Sequence, residues 1–291
     1  MTCPFLRESQ VRFCQAASVR KLIPLAASGN RDEKCASPTH VSCPVYQAHP
    51  GNGPQTGNCP SLAESLMQYC AAAPVAKLVP FSESQLSRCG NESYRYCELY
   101  AAMAHPGSAG DEVEGVDLPA DLSYAANHMW LDVGDSGQCH AGIDAFLSRA
   151  LGKVERIQYV WQSGLHRPAA ILTAGGADWE VVFPNPLLLT GCNLYLRANP
   201  GRLADEPYTA GWLFEGTMVG ETADNLMQGR SAKGWMEREL HRMSEALQRG
   251  SGMAADGGLF AQGVLASLDP ELRPALFHEF FSPFASGKKD L

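Results

Sequence analysis

The chain has 291 residues, 45% of them hydrophobic and 19% charged, with a formal net charge of −8. The acidic balance and the lack of a basic stripe argue against a nucleic-acid partner, and no apolar run reaches the ~18 residues that a membrane-spanning helix needs. The opening residues, MTCPFLRESQ, become charged at once and lack the apolar core of a secretory leader, so a cytoplasmic location is expected.

Ten cysteines punctuate the chain, and eight of them fall within the first 100 residues. In a reducing compartment such a set points to metal ligation before disulfides, although a free cysteine is also a common small core residue. Cys3, Cys14, Cys35 and Cys43 follow the spacing C-x10-C-x20-C-x7-C; Cys59, Cys70, Cys89 and Cys97 follow C-x10-C-x18-C-x7-C. Pro4 recurs as Pro60, Glu8 as Glu64, Lys21 as Lys77, Pro24 as Pro80 and Tyr46 as Tyr100, and each copy closes on His-Pro, at His49-Pro50 and His105-Pro106. This is a tandem repeat, with one copy over residues 1–50 and the other over 51–108.

A copy of about 50 residues buries too little apolar surface to fold without a staple. Four thiolates per copy are the complement of one [4Fe–4S] cluster or one zinc ion. Neither copy has the tight C-x2-4-C turn usual in structural zinc sites, so two [4Fe–4S] clusters are expected, with two Zn2+ as the alternative. Cys59-Pro60 reads as a helix start, continued through SLAESLMQYCAAA. An unbroken helix would hold Cys59 and Cys70 about 16 Å apart, too far for one centre. Two arrangements remain open: a helix shorter than the spacing, or cysteines exchanged between copies. VRKLIP and VAKLVP read as short extended segments, and CGNESYRYC as a Gly-Asn turn leading into a helical turn.

Residues 109–121 read as a Gly/Ser/acidic linker. Beyond it, NHMWLDVGDSGQCHAGI reads as two strands about a turn, and DAFLSRALG as a short helix ended by Gly152. KVERIQYVW, AAILTAGG, DWEVVF, CNLYLRA and GWLFEG all read as strands. Three ordered motifs, LSYAANHMWL, GIDAFLSRALGKVERIQY and NPGRLADEPYTAGWLFEG, resemble the H protein of the glycine cleavage system, over about residues 122–217. The resemblance implies a lipoyl-type barrel-sandwich fold and a docking surface. The family carries lipoate on one lysine at a hairpin tip. Here the corresponding tip falls near Gly175, Gly176 and Ala177, and no lysine lies between Lys153 and Lys233, so no lipoate is expected.

His128, beside Trp130, is read as a packing residue. Of the neighbours Cys139 and His140, the cysteine is expected buried and the histidine exposed, since adjacent strand residues point to opposite faces. No nucleophile elbow, phosphate loop or supported carboxylate pair appears. In the tail, residues 218–291, Met236, Leu240, Met243 and Leu247 mark one face of an amphipathic helix. Asp269-Pro270 reads as the start of a second helix carrying Leu276, Phe277, Phe280, Phe281 and Phe284, rings that either cap the rest of the protein or form a partner surface.

The expected fold class is α+β: a lipoyl-type barrel-sandwich domain with a duplicated cysteine-rich metal domain before it and helices after it. The expected function is a non-enzymatic iron–sulfur subunit for electron transfer or scaffolding, with redox protein subunits of a larger complex as partners and the barrel as docking adapter. The alternative is a zinc-stapled interaction or regulatory scaffold; an enzyme finds no acid–base or substrate motif in its support.

Overall fold

The computed structural model describes residues 2–18, 23–24, 34–48, 57–75, 77–79, 88–104, 111–134, 137–219, 225–251 and 260–283. The chain divides into two compact units, Met1–Ala104 and His105–Leu291. The two His-Pro pairs and Phe284 lie outside the described residues.

The first unit is built on β1 (Leu6–Cys14), β2 (Ile23–Pro24), β3 (Leu62–Cys70) and β4 (Lys77–Val79), in the sheet order β2-β1-β3-β4. The two copies meet in the middle. β1 and β3 pair antiparallel over their full nine residues, from Leu6 opposite Cys70 to Cys14 opposite Leu62. The helix expected after Cys59-Pro60 is therefore a strand. LAESLMQ has helical propensity, but propensity is a weak prior, and a complete ladder with the sister copy outweighs it. After its strands each copy adds two 3₁₀ turns and a short helix. In the first copy these are Lys34–Ala36, Pro38–Ser42 and α1 (Pro44–Ala48); in the second, Arg88–Gly90, Glu92–Tyr96 and α2 (Glu98–Ala104). Asn91 caps the second of these turns, its side chain accepting from the Ser93 N–H. Equivalent ring pairs, His40 with Tyr46 and Tyr94 with Tyr100, pack edge-on at 4.9 Å in both copies.

In the second unit the stretch expected as a linker forms a packed hairpin instead: β5 (Asp111–Val113) and β6 (Val116–Leu118) bury Val113, Val116 and Leu118. The Asp117 carbonyl accepts from Tyr208 Oη at 2.6 Å, and the Gly115 carbonyl from the Arg149 guanidinium. β7 (Ser123–Ala125), β8 (Met129–Val133) and β9 (Gln138–Ile143) follow. Next comes α3 (Ala145–Leu151), capped by Asp144 on the Leu147 N–H and ended by Gly152 at φ 71°. The following elements are β10 (Val154–Val160), β11 (Leu165–His166), β12 (Ala169–Ala174), β13 (Ala177–Val182) and β14 (Leu187–Cys192). Two short helical turns, α4 (Tyr195–Ala198) and α5 (Arg202–Asp205), precede β15 (Phe214–Met218) and β16 (Leu226–Met227). CNLYLRA is thus a helical turn after a strand end. Asn193 fixes it there, its amide donating to the Ala210 and Trp212 carbonyls.

Among the described residues one sheet runs β11-β14-β15-β9-β8-β7-β16 and a smaller one β10-β12-β13. The two close on a shared core: Tyr159 of β10 meets Phe214 of β15 edge-on at 6.1 Å, and Asn127 donates to the Val182 carbonyl. Trp130, Trp212, Phe146, Phe183 and Phe214 are fully buried in this core. The fold is α+β, a lipoyl-type barrel-sandwich with added helices. Of these, α6 (Gly229–Ser251) buries Ala232, Trp235, Met236, Leu240 and Met243, as its periodicity requires. The last two helices, α7 (Val264–Ser267) and α8 (Arg273–Phe281), bring Phe260, Phe277, Phe280 and Phe281 onto the barrel against Phe146, Trp179 and His128. The tail rings therefore cap the barrel. Among the described residues no helix is long and apolar enough to cross a membrane.

Candidate functional site

Cys14 and Cys70 end the two strands of the β1–β3 ladder, and Cys3 and Cys59 lie just before those strands begin. Cys3, Cys59 and Cys70 are buried, and Cys14, Cys35, Cys43, Cys89 and Cys97 half-buried; none of the eight is in a disulfide. Cys3 and Cys59 each begin a tight turn into a strand, their carbonyls accepting from the Leu6 and Leu62 N–H groups. Two backbone bonds cross between copies: the Cys3 N–H donates to the Cys89 carbonyl at 2.9 Å, and the Cys59 N–H to the Cys35 carbonyl at 2.7 Å. Cys70 packs with Phe5, Leu6 and Cys89 in one small apolar cluster. The donor set suits a soft or borderline metal, since thiolates bind zinc and iron–sulfur clusters alike. The side chains are not drawn together on a point. Among the described residues no three His, Cys, Asp or Glu side chains form a metal-holding group.

In the second unit the hairpin that resembles the family's lipoyl-bearing one joins β12 to β13 through Gly175 and Gly176, at φ 58° and 74°. Two successive positive φ values make the two-residue turn that suits antiparallel strands, and glycine adopts them without strain. The tip is covered on one side. A Cβ on Gly175 would lie 2.6 Å from the Ala266 Cβ of α7, whereas at Gly176 no atom lies within 4 Å. Trp179, beside the tip, donates to the Ala174 carbonyl and stacks at 4.8 Å on Phe277 of α8.

Behind this hairpin lies a buried charge cluster. His128, fully buried at φ 63°, bonds through Nδ1 to Asp144 Oδ2 at 2.8 Å, and its Nε2 faces Glu239 Oε2 at 3.6 Å. It stacks on Phe146 at 4.1 Å and leans on Trp235. Burial alone would lower its pKa, but the charge and hydrogen bond of Asp144, with Glu239 behind them, outweigh burial and raise it. Glu239 also pairs with Arg242, whose guanidinium lies over Phe280. The sequence reading found His128 but not its carboxylates. The available signal was an acid at position 239, on the stripe of Met236, Leu240 and Met243. The cluster is sealed from solvent and serves structure.

Cys139 and His140 are both buried, at 0% and 3% exposure, because both faces of β9 are covered; one exposed neighbour was expected. His140 packs edge-on to Trp212. Burial pushes the Cys139 thiol up to about 12 and the Cys192 thiol up to about 11, so both remain protonated and unreactive at neutral pH. Cys192 lines a surface groove of about 850 Å³ with Arg156, Tyr159, Trp161, Leu194 and Arg197. Trp161 and Leu194 there are 60% and 65% exposed.

No family model matches the chain. Glycine cleavage system H proteins do match: that of Mycobacterium avium is 32% identical over 108 residues, covering 34% of this chain and 77% of the relative. That of Beutenbergia cavernae is 34% identical over 120 residues, covering 38% and 91%, and that of Micrococcus luteus 32% over 114, covering 36% and 84%. A crystal structure of a glycine cleavage system H protein from Mycobacterium marinum aligns at 22% identity and a TM-score of 0.35, covering 42% of this chain and 98% of that one. Met129-Trp130 lie on β8 and Gly142-Ile143 on β9, while Gly211-Trp212-Leu213 lead into β15, and the chain belongs to the glycine cleavage system H protein family.

Proposed function

We propose that the protein is a non-enzymatic, cytoplasmic adapter subunit of a redox assembly, descended from a lipoyl carrier but without its swinging arm, and that its first unit holds two metal centres. The observation that carries the adapter reading is the hairpin tip. It has glycines where the family has a lipoyl lysine, and Gly175 is pressed against Ala266 of the tail. With no ε-amine between Lys153 and Lys233, no lipoyl amide can form there. The fold and the exposed Trp161 and Leu194 groove, flanked by Arg156 and Arg197, remain as a face on which an acidic partner would dock.

The metal centres rest on the eight in-phase cysteines, in a unit whose sheet buries few large aliphatic side chains. Metal binding would then supply folding energy and draw the thiols together. Iron–sulfur clusters would make the unit an electron carrier; zinc would make it a scaffold. Anaerobic purification followed by iron, zinc and acid-labile sulfide analysis separates the two. Brown protein with iron and sulfide supports clusters, colourless protein with zinc supports the scaffold, and metal-free protein with a normal fold ends both. Intact mass spectrometry of protein from its native cells tests the lost arm, since a lipoyl adduct would overturn it.

A further inference from the structure

Resting on the metal-binding reading of the first unit, we infer that each centre is built across the repeat. One takes Cys3 with Cys70, Cys89 and Cys97, and the other takes Cys59 with Cys14, Cys35 and Cys43. Neither copy of the repeat can form a centre by itself.

The strands decide this. Within the second copy, Cys59 precedes β3 and Cys70 ends it. Eight strand steps at ~3.3 Å place the two ends of β3 about 26 Å apart. Two thiolates on one zinc lie within about 4.6 Å of each other, twice the Zn–S bond, and a cubane is not several times larger. The same holds for Cys3 and Cys14 at the two ends of β1. The first and second cysteines of one copy therefore belong to different centres.

Antiparallel pairing supplies each with a new neighbour. Leu6 lies opposite Cys70, and Cys14 opposite Leu62, so the start of each strand adjoins the end of the other. The ladder continues past these ends, with the Ala71 N–H on the Phe5 carbonyl and the Gln15 N–H on the Ser61 carbonyl, both at 2.9 Å. That leads the chain to Cys3 at one end and to Cys59 at the other. The third cysteine is fixed by the crossing bonds, Cys3 to Cys89 and Cys59 to Cys35. The same two sequence positions are bonded in both directions, as a pseudo-two-fold axis through the ladder requires. Cys89 also packs against the apolar cluster that holds Cys70, Ala72 and Val79. The fourth cysteine follows the third after one 3₁₀ turn in each copy. Beyond Cys97, Tyr100 packs on Phe5 of the other copy at 5.9 Å, holding that turn against the end that carries Cys3.

Double substitutions in the full chain test the assignment. The wild type and two variants are purified anaerobically and reconstituted in parallel with ferrous iron plus sulfide and with zinc, and bound metal is counted per chain. A metal-free wild type overturns the parent reading. With a metal-loaded wild type, Cys3→Ser plus Cys89→Ser damages one exchanged centre and should keep half of the wild-type metal. Cys3→Ser plus Cys35→Ser, two changes within one copy, damages both and should lose nearly all of it. The reverse ranking means that each copy holds its own centre and overturns the exchange. If neither variant keeps metal, a short bifunctional thiol cross-linker on metal-stripped wild type decides, with the bridged peptides read by mass spectrometry. Cys3–Cys89 and Cys59–Cys35 bridges uphold the exchange; Cys3–Cys35 and Cys59–Cys89 bridges overturn it.

Discussion

His128 shows how a single residue can be read correctly and still be understood only in part. Its place before Trp130 marked it as a packing residue, and it is buried among Phe146, Trp235 and Phe281. What local sequence could not show is that Asp144 and Glu239, from separate elements, converge on its ring. No periodicity reports a pairing 111 positions apart. The consequence is a pH dependence. Because the folded pKa is raised above the ordinary histidine value of 6.5, the stability that His128 contributes is fully present below that value and is lost as pH rises through the folded pKa. His128→Asn keeps a residue tolerant of the left-handed φ but takes from buried Asp144 the cation it bonds, and leaves Glu239 with Arg242. It should destabilise the second unit by about 3–5 kcal/mol at pH 6. Thermal melts from pH 6 to 9 check this: wild-type stability should decline over that range relative to the variant, and parallel curves would show that the histidine is not charged.

At the scale of elements, the sequence was most legible where one face of one element carried the signal. The α6 stripe was marked by Met236, Leu240, Met243 and Leu247; the first three are buried and Leu247, near the helix end, is half-buried. It was least legible where a partner chose the structure. LAESLMQYC favours a helix locally and becomes a strand because its sister copy offers nine ladder positions. Residues 111–118 look like an acidic linker, yet their two valines and Leu118 face inward from a hairpin. The lipoyl-type hairpin is a related case. The missing lysine was visible in the sequence, but the approach of α7 was not. That approach makes the two tip glycines unequal. Gly176→Ala should cost only the left-handed strain of about 1–2 kcal/mol. Gly175→Ala should add about 1–3 kcal/mol of overpacking against Ala266. Chemical denaturation of both variants measures the difference, and equal losses would mean that the tail does not press on the tip.

For the whole molecule, the two units differ in what holds them. The barrel buries Trp130, Trp212, Phe146, Phe183 and Phe214 completely, whereas among the described residues of the cysteine unit the buried side chains are chiefly Cys3, Cys59, Cys70, Val11, Val79 and a few rings. A fragment from His105 onward should therefore show a cooperative thermal transition that chelators leave unchanged. Its boundary matters. Starting instead at Leu122 removes Val113, Val116 and Leu118, each contributing up to about 1.5–3 kcal/mol by burial, together with the bond from Tyr208 to the Asp117 carbonyl. That shorter fragment should melt well below the longer one. In the full chain, Cys14→Ser plus Cys70→Ser removes one thiolate from each end of the β1–β3 ladder. The first unit should then lose its protection from hydrogen exchange while the barrel keeps its own transition. A barrel that unfolds together with the first unit would mean that the two share one core, and that an adapter made of separable parts is the wrong description.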